Sequence, residues 1–301
     1  MNAPPAFPGA GALAAVATVS IWAAFMLVSR HAVGADFTVA ELLFLRLAPA
    51  AVICLPVMVR RGVIPRGLSW PRAIVVMVGA GVGFPAVIIS GLQFAPASDA
   101  GPLAPGMLPF WTTLWAALLM KEYPGPRRLA GLVLILAGAA LVSLQAVVID
   151  AQPGAWRGHL GFVAAAALWA GYAVVFRQSG LDPLHAVAIG MFWSSVAIGP
   201  VLLWIGLPFA NADLPEIAVM AFLQGVVMSL VALVTFGYAV RVLGAAETGA
   251  FGALVPVLTL LGGALLLDEP VGPPKILGVI LVAAGVVLAS GVLSRRRPAG
   301  P

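Results

Sequence analysis

The chain has 301 residues, of which 62% are hydrophobic and 9% are charged, and its mean hydropathy is +1.08. This composition excludes a soluble domain, which could not leave so much apolar surface in water, and it indicates an integral membrane protein. The net charge of +5 and the pI of 10.1 would suit a nucleic-acid partner. However, the basic residues lie mostly between apolar spans, where they are a signal of membrane topology and not of nucleic-acid binding.

Ten apolar spans follow one another, each long enough to cross roughly 30 Å of hydrocarbon as a helix. They cover residues 10–30, 38–58, 72–93, 98–120, 127–148, 159–178, 184–206, 214–240, 245–267 and 274–294. No Lys or Arg precedes Arg30, so the first span lacks the charged leader of a signal peptide and is predicted to be retained. The Pro-rich first ten residues are predicted to be disordered. Because all loops are short, function is expected inside the helices or at their mouths.

The distribution of Lys and Arg predicts the orientation in the membrane. With a cytoplasmic N-terminus, the inner loops and the tail hold Arg60, Arg61, Arg66, Arg72, Lys121, Arg127, Arg128, Arg177, Arg241, Arg295, Arg296 and Arg297. The outer loops hold Arg30, Arg157 and Lys275, so the count is twelve against three. The positive-inside rule therefore predicts that both termini are cytoplasmic. The expected location is a bacterial cytoplasmic (inner) membrane.

The stretch from residue 97 to residue 143 recurs 147 positions further along the chain without a gap. Between residues 122–143 and residues 269–290, nine of 22 positions are identical. Matching residues in the same register include Glu122 with Glu269, Pro109 with Pro256, and Trp22 with Trp169. The chain is therefore predicted to be an internal duplication.

An odd number of spans in each repeat inverts the second copy. Residues 10–148 and 155–294 hold five spans each, with tails at 1–9 and 295–301, so the second repeat enters the membrane from the opposite side. The predicted fold class is an all-α integral membrane protein with ten transmembrane helices in two inverted five-helix repeats. Inverted repeats are common in secondary transporters, whose two halves rock around a substrate near the midplane.

The joint spacing of several motifs carries a family resemblance. Trp22 and Trp169 lie in IW and LW pairs, Pro109 and Pro256 lie in the fourth and ninth spans, an acid closes each of those spans, and G-x6-G helices follow. Together they resemble the EamA type of the drug/metabolite transporter superfamily, and within it the YddG-like exporters of aromatic and other amino acids. The resemblance implies a pore lined by spans 3, 4, 8 and 9 with parts of spans 1, 2, 6 and 7. It also implies that spans 5 and 10 lie at the periphery.

The duplication also separates residues by expected role, because residues present in both halves are expected to serve the fold. Polar residues present in only one half are better candidates for the substrate. Arg46 is the clearest, since it lies well inside span 2 and its counterpart is Trp193. An intramembrane arginine is costly unless it faces water or a partner, so we expect it to hold a substrate carboxylate. A structural arginine paired with Glu41 or with a helix end is the alternative.

The same comparison yields the other pathway candidates. They are Gln93, Asp99, Trp111, Trp115, Gln224, Tyr238 and Glu247, whose counterparts are Val240, Ala246, Leu258, Gly262, Met77, Gly91 and Ala100. The two acids are either helix caps or gate residues that bind a proton or an amine. The neutral polar residues either orient a small polar molecule or bond neighbouring helices. The two tryptophans either form an aromatic wall for a ring-bearing or cationic substrate or pack in the core.

Proline and glycine indicate where helices bend and where they approach closely. Predicted kinks lie at Pro85, Pro102, Pro105, Pro109 and Pro256, and each frees a backbone carbonyl that must face protein or a wet cavity. This pattern also places the pathway beside spans 3, 4, 8 and 9. The glycine pairs at 131 and 138 and at 278 and 285 are expected to permit close helix packing, within a monomer or in a homodimer.

The remaining reactive residues are not expected to carry chemistry. Cys54 is predicted to be a small core hydrophobe. His31, His159 and His185 fall at helix ends or in loops and have no metal-binding spacing. No cofactor, metal or nucleotide motif is predicted. The first span lacks Asp and Glu, which argues against proton antiport and leaves facilitated diffusion open.

The sequence therefore predicts a secondary transporter that moves a small organic metabolite outward by alternating access. Amino acids, aromatic ones among them, and related amines are the expected substrates. A facilitative, channel-like carrier of another metabolite or a structural subunit is the alternative. An integral membrane enzyme is disfavoured, because the scattered serines have no histidine within a helix turn to act as a base.

Overall fold

The computed structural model describes residues 8–64 and 69–294. The tails, Arg66, Arg295, Arg296 and Arg297 fall outside this part, apart from residues 8 and 9. The described residues contain ten helices that are long and apolar enough to span a membrane, which agrees with the predicted all-α class. They are α1 (Gly9–Gly34), α2 (Val39–Arg61), α3 (Trp70–Leu92), α4 (Ala97–Met120), α5 (Pro126–Ile149), α6 (Ala155–Ser179), α7 (Pro183–Ile205), α8 (Leu214–Leu243), α9 (Ala245–Leu266) and α10 (Pro273–Ser290).

The inverted repeat organises the packing of these helices. Helix α1 packs on α8, and its counterpart α6 packs on α3, which is the same contact made twice. Helices α2 and α7 pack on each other, as do α5 and α10. In both pairs a helix of the first repeat contacts its own counterpart in the second. Nearly every large contact therefore joins one repeat to the other, and neither half has a core that is independent of its partner.

The contact between α5 and α10 is made by the predicted glycine pairs. A β-carbon built on Gly131 would lie 2.7 Å from the carbonyl oxygen of Gly285, and one built on Gly138 would lie 2.4 Å from that of Gly278. A side chain at either position would collide with backbone, so the absence of side chains lets the two helices touch main chain to main chain. The stripes thus pack within one chain, at the side of the bundle.

Helices α3, α4 and α9 are broken near the predicted prolines. Helix α3 consists of Trp70–Ala80 and Gly83–Leu92, and α9 of Ala245–Phe251 and Leu254–Leu266. Helix α4 consists of Ala97–Leu103, a 3₁₀ turn at Pro105–Met107, and Leu108–Met120. Pro102 and Pro105 flank the break in α4, while Pro85, Pro109 and Pro256 lie in the first three residues of the segments that follow a break. These breaks release the helix backbone from its regular hydrogen bonding.

Helix α8 is irregular without any proline nearby. It contains a π-helical segment at Phe222–Val231, which occupies the same place in the second repeat as the break in α3 does in the first. The Ser229 hydroxyl donates to the Gln224 carbonyl at 2.8 Å inside this segment. Gly225 permits the close approach of α2, since a β-carbon there would lie 2.8 Å from that of Pro49. π-Helical segments frequently mark functional sites.

Helix α7 begins with a polar cap that also joins it to α2. The Asp182 side chain accepts from the backbone amides of Leu184 and His185 at 3.0 and 3.2 Å, and it lies 2.5 Å from the Arg61 guanidinium. Burial alone would raise the pKa of Asp182, but the amides of His185 and Leu184 together with Arg61 outweigh it and lower the pKa. The carboxylate is therefore the stable form at neutral pH.

Candidate substrate site

A cavity lies at the centre of the bundle, beside the breaks in α3 and α4 and the π-helical segment of α8. Its lining comprises Trp22, Phe25, Met26, Arg46, Gly81, Phe84, Pro85, Pro105, Leu108, Trp169, Val187, Met191, Met228, Ser229, Ala232, Leu233 and Phe236. The space open to the centre of a water molecule is about 90 Å³, which is several times what one water needs. The lining comes from α1, α2, α3, α4, α6, α7 and α8, so most of the implied pore helices contribute and α9 does not.

Arg46 is the charged residue of this lining. Its side chain is buried, and its guanidinium lies 4.5 Å from the centre of the Phe25 ring. Nη1 donates to Gln224 Oε1 at 3.1 Å and Nη2 donates to the Met228 carbonyl at 3.4 Å. Nε is buried and has no hydrogen-bond partner among the described residues. The guanidinium is thus held in place by two neutral acceptors, and its Nε remains without a partner among the described residues.

Arg46 does not pair with Glu41, which was the structural alternative. The Glu41 carboxylate accepts from the Thr38 amide at 2.8 Å and from the Phe209 amide at 2.6 Å, so it caps α2 and holds the loop before α8. Within residues 8–64 and 69–294, no carboxylate lies within ion-pair distance of Arg46. The positive charge beside the cavity therefore has no compensating carboxylate in the part of the chain that the structure describes.

Gln224 holds the Arg46 guanidinium in position by a hydrogen bond but does not itself line the cavity. It is fully buried, and its Nε2 donates to the Ser29 hydroxyl at 2.9 Å while its Oε1 accepts from Arg46. Both acceptors of the guanidinium, Gln224 and the Met228 carbonyl, lie in the π-helical segment of α8. The close packing of α2 on Gly225 brings this segment within reach of Arg46, so the irregular helix and the arginine form one structural unit.

Aromatic rings form much of the remaining wall. The Trp22 ring lies 5.6 Å from the Phe236 ring, and the Trp169 ring lies 5.2 Å from the Phe84 ring, between centres. The two tryptophans were expected to serve the fold because they match in the repeat, but both line the cavity. Phe236 and Phe84 were not predicted, since nothing in their sequence context distinguishes them from core residues.

Besides Gln224 and Asp99, five more of the predicted pathway residues do not line the cavity. Gln93 is exposed at the end of α3, and Trp111 packs in the core with its ring 5.4 Å from that of Phe110. Trp115 Nε1 donates to the Ala167 carbonyl at 3.0 Å and so binds α4 to α6. Tyr238 stacks against the Arg241 guanidinium, and Glu247 lies half-buried in the first turn of α9. For Trp115, the contact corresponds to the packing alternative stated above.

Asp99 takes part in a buried charge cluster outside the cavity. Its Oδ1 lies 2.8 Å from Lys275 Nζ and its Oδ2 lies 2.9 Å from His159 Nε2, and both Asp99 and Lys275 are fully buried. Lys275 also donates to Ser98 Oγ at 3.2 Å and to the Pro270 carbonyl at 3.1 Å. The expectation that Lys275 lies in a loop is therefore wrong, and His159, which was expected at a helix end or in a loop, lies near the start of α6. Both are buried within helices and joined by one carboxylate.

Glu269 and Glu122 occupy equivalent positions at opposite ends of the bundle but make different contacts. Glu269 accepts from the backbone amides of Ala97 and Ser98 at 2.7 and 2.8 Å, so it caps α4 from the other repeat. Glu122 is half exposed and accepts from Arg177 at 2.8 Å. We refer to the two ends of the bundle as the Glu269 end and the Glu122 end.

A cavity enclosed between two inverted repeats, with its polar groups on broken helices, is the architecture of a membrane carrier. The model of the EamA-like transporter family matches residues 9–144 and 156–291 of this chain. The chain belongs to the EamA-like transporter family and is a multi-pass membrane transporter.

Individual relatives agree with this assignment. The chain is 31% identical over 301 residues to the "Probable terminal-alkyne amino-acid exporter" of Streptantibioticus cattleyicolor, covering 95% of each chain. It is 27% identical over 223 residues to the "Uncharacterized transporter YyaM" of Bacillus subtilis, covering 70% of each. A solved crystal structure matches 97% of this chain and 100% of its own with a TM-score of 0.61 and 20% identity, which is a likeness of fold alone.

Proposed function

We propose that this transporter exports small amino acids with apolar or aromatic side chains and that Arg46 binds their carboxylate. The observation that carries the proposal is a buried guanidinium beside a small apolar cavity with no acidic partner among the described residues. A buried charge is costly unless it is paired. A carboxylate supplies the missing charge and fits the planar donor fork of arginine.

The rest of the lining supports an amphipathic substrate. Aromatic faces at Trp22, Trp169, Phe84 and Phe236 suit an apolar or aromatic side chain, and they also stabilise an ammonium group by cation–π contact. The Ser229 hydroxyl is the side-chain oxygen of the lining. An amine without a carboxylate is disfavoured, because it would place a second positive charge beside Arg46. The name of the Streptantibioticus relative, an amino-acid exporter, supports the amino-acid class and the outward direction.

Alternating access is the mechanism that the inverted repeat supports. The two repeats are equivalent but inverted in the membrane. If each repeat adopts the conformation of the other, the opening of the cavity moves from one membrane face to the other. The excess of basic residues between the spans supports cytoplasmic termini in a bacterial inner membrane. In that orientation the Glu122 end faces the cytoplasm.

The test uses purified protein in liposomes with labelled phenylalanine as the transported probe. Unlabelled 3-phenylpropionate, which keeps the carboxylate, is expected to compete, and phenethylamine, which keeps only the amine, is not. Loss of one partner of a buried charge pair costs about 2–5 kcal/mol, so Arg46→Ala should weaken substrate affinity by about 30-fold or more. The substrate affinity of Arg46→Lys should lie between those of the parent protein and Arg46→Ala, because lysine keeps the positive charge but not the planar pair of donors.

The matched control is Arg157→Ala, which removes an exposed arginine whose guanidinium lies over the rings of Phe94 and Trp156. It should transport like the parent protein. Competition by phenethylamine equal to that of phenylpropionate would contradict the carboxylate site. Failure to transport any neutral or aromatic amino acid, with or without a pH gradient, would remove the substrate class.

Counterflow separates a carrier from a channel-like route. A carrier that alternates between two states is accelerated by substrate on the opposite side of the membrane and saturates with concentration. A continuous channel shows neither effect. The same liposomes therefore decide between the proposed mechanism and facilitative, channel-like movement.

A further inference from the structure

The end caps of α4 and α9 are related by the repeat but differ in this structure. Position 97 corresponds to 244 and position 98 to 245. The Ala97 and Ser98 amides donate to the Glu269 carboxylate, which is 6% exposed, while Pro96 offers no side-chain cap of its own. At the other end the Gly244 amide donates to the Val240 carbonyl, and Gly244 has no side chain to cap α9. Glu122, the counterpart of Glu269, stays on Arg177.

The helices around the capped end pack more tightly than the helices around the uncapped end. At the Glu269 end the segment Ala97–Leu103 is buried throughout and packs along Leu254–Leu266. At the Glu122 end the corresponding segment Ala245–Phe251 has one buried residue, Thr248, and hardly contacts Leu108–Met120. The bundle is therefore closed at the Glu269 end and separated at the Glu122 end.

The arginines next to the two glutamates follow the same symmetry. Arg30 and Arg177 are repeat counterparts, and each faces the glutamate of the other repeat. Arg177 lies 2.8 Å from Glu122, whereas Arg30 lies 4.0 Å from Glu269 and its guanidinium donates to the Leu92 carbonyl. A glutamate thus has two available partners, the arginine and the helix backbone, and each end of the bundle displays one of the two arrangements.

We infer that Glu122 and Glu269 are positioning residues that exchange these arrangements during transport. This inference rests on the proposed alternating access. As the Glu269 end opens, Glu269 releases the amides of α4 and takes Arg30 as its partner. As the Glu122 end closes, Glu122 leaves Arg177 and accepts from the amides of Gly244 and Ala245. One carboxylate therefore caps a helix in each state, and the two never do so together.

The closed arrangement predicts a cross-link for the opposite state. A β-carbon built on Gly263 lies 3.1 Å from that of Ser98 in the closed end. The corresponding residues at the open end are Ala116 and Ala245, and both already carry β-carbons. Cysteines at these two positions, in a Cys54→Ala background, should form a disulfide only when the Glu122 end closes.

The experiment measures the rate of that disulfide in liposomes without substrate. Glu122→Ala should lower the rate about tenfold, because it removes the cap of the closed Glu122 end. Glu269→Ala should raise it about tenfold, because it weakens the competing state. Glu216→Ala is the matched control, since Glu216 is an exposed glutamate that caps its own helix, and it should leave the rate unchanged.

The outcomes separate this inference from the proposed transport mechanism. Equal rates in the parent and in Glu122→Ala, or a decrease in both glutamate variants, would overturn the exchange of caps while leaving alternating access in place. Absence of the disulfide in every background would overturn alternating access itself. If Glu269→Ala fails to fold, the exposed Glu122 variant alone decides the matter. The carboxylate specificity of Arg46 is judged separately by its competition assay.

Discussion

Lys275→Met is expected to be among the most destabilising single substitutions in this protein. Lys275 is fully buried in α10, and its ammonium lies 2.8 Å from the equally buried carboxylate of Asp99. The methionine side chain fills a similar volume but carries no charge. The substitution therefore leaves the Asp99 carboxylate buried with His159 as its remaining side-chain partner.

The expected loss of stability comes from the Asp99 carboxylate, which stays buried without its ammonium partner. Removal of one partner from a buried ion pair costs about 3–5 kcal/mol, because the other charge is left uncompensated. Replacement of both charges is far less costly, and Asp99→Asn keeps an oxygen that can accept from His159. We therefore expect the double variant with Asp99→Asn and Lys275→Met to recover most of the stability that Lys275→Met loses. Lys121→Met, at an exposed turn residue, should stay within about 0.5 kcal/mol of the parent.

The assay can use a reporter that the chain already contains. Cys54 is the single cysteine and is 2% exposed, so a thiol-reactive dye labels it only after unfolding. Denaturant titrations in detergent then give the free energy of unfolding for each variant. A loss below about 1 kcal/mol for Lys275→Met, or a double variant no more stable than the single one, would refute the argument from an uncompensated buried charge.

Three further substitutions test the helix contacts. Gly138→Ala should lower the free energy of unfolding in the Cys54 assay by about 1–3 kcal/mol through overpacking between α5 and α10, while Gly199→Ala, where a β-carbon meets open space, should not. Gly225→Ala should push α8 away from α2 and weaken substrate affinity in the liposome assay more than stability, because it moves both acceptors of Arg46. Asp182→Ala should cost about 0.5–2 kcal/mol at neutral pH through loss of the cap of α7. Because the folded pKa of Asp182 is lowered, this contribution is present above about pH 4 and fades as the pH falls through the folded pKa, so the stability curves of parent and variant should converge in acid.

The sequence was sufficient for the architecture because hydrophobicity and repetition are properties of the chain alone. The ten helices begin and end within four residues of the predicted spans. The glycine pairs were expected to permit close packing, and the structure shows that they do so between the two repeats. The π-helical segment of α8 was not predicted, since no proline marks it. The segment packs closely against α2 at Gly225, and this contact between distant parts of the chain exists only in the folded bundle.

The comparison of the two halves succeeded for some residues and not for others, for a physical reason. Arg46 and Gln224 are each polar in one half only, and the structure brings them together at 3.1 Å. The same property also selects Gln93 and Trp115, which serve a helix end and a helix contact. A loss of symmetry shows that a position has a particular task, but it does not show which one. Residues common to both halves, such as Trp22, can still line the site because the site lies on the symmetry axis.

The missed partners of Asp99 illustrate the limit of local patterns. Lys275 is 176 positions away and His159 is 60 positions away, so no helical or strand periodicity connects them. Both, however, differ from their counterparts, which are Arg128 and Ala12. A search for unmatched polar residues would have selected Asp99 and His159 but not Lys275, whose counterpart is also basic.

The glycine contact between α5 and α10 has the geometry of a two-fold interface between identical partners. Gly131 meets Gly285 and Gly138 meets Gly278, so each position faces the counterpart of the other one. This reciprocal pattern is what an isologous dimer shows. A single five-helix unit, inserted into the membrane in both directions, would therefore already possess the surface needed to pair with itself. Fusion of two such units preserves that surface and fixes the ratio of the two orientations at one to one.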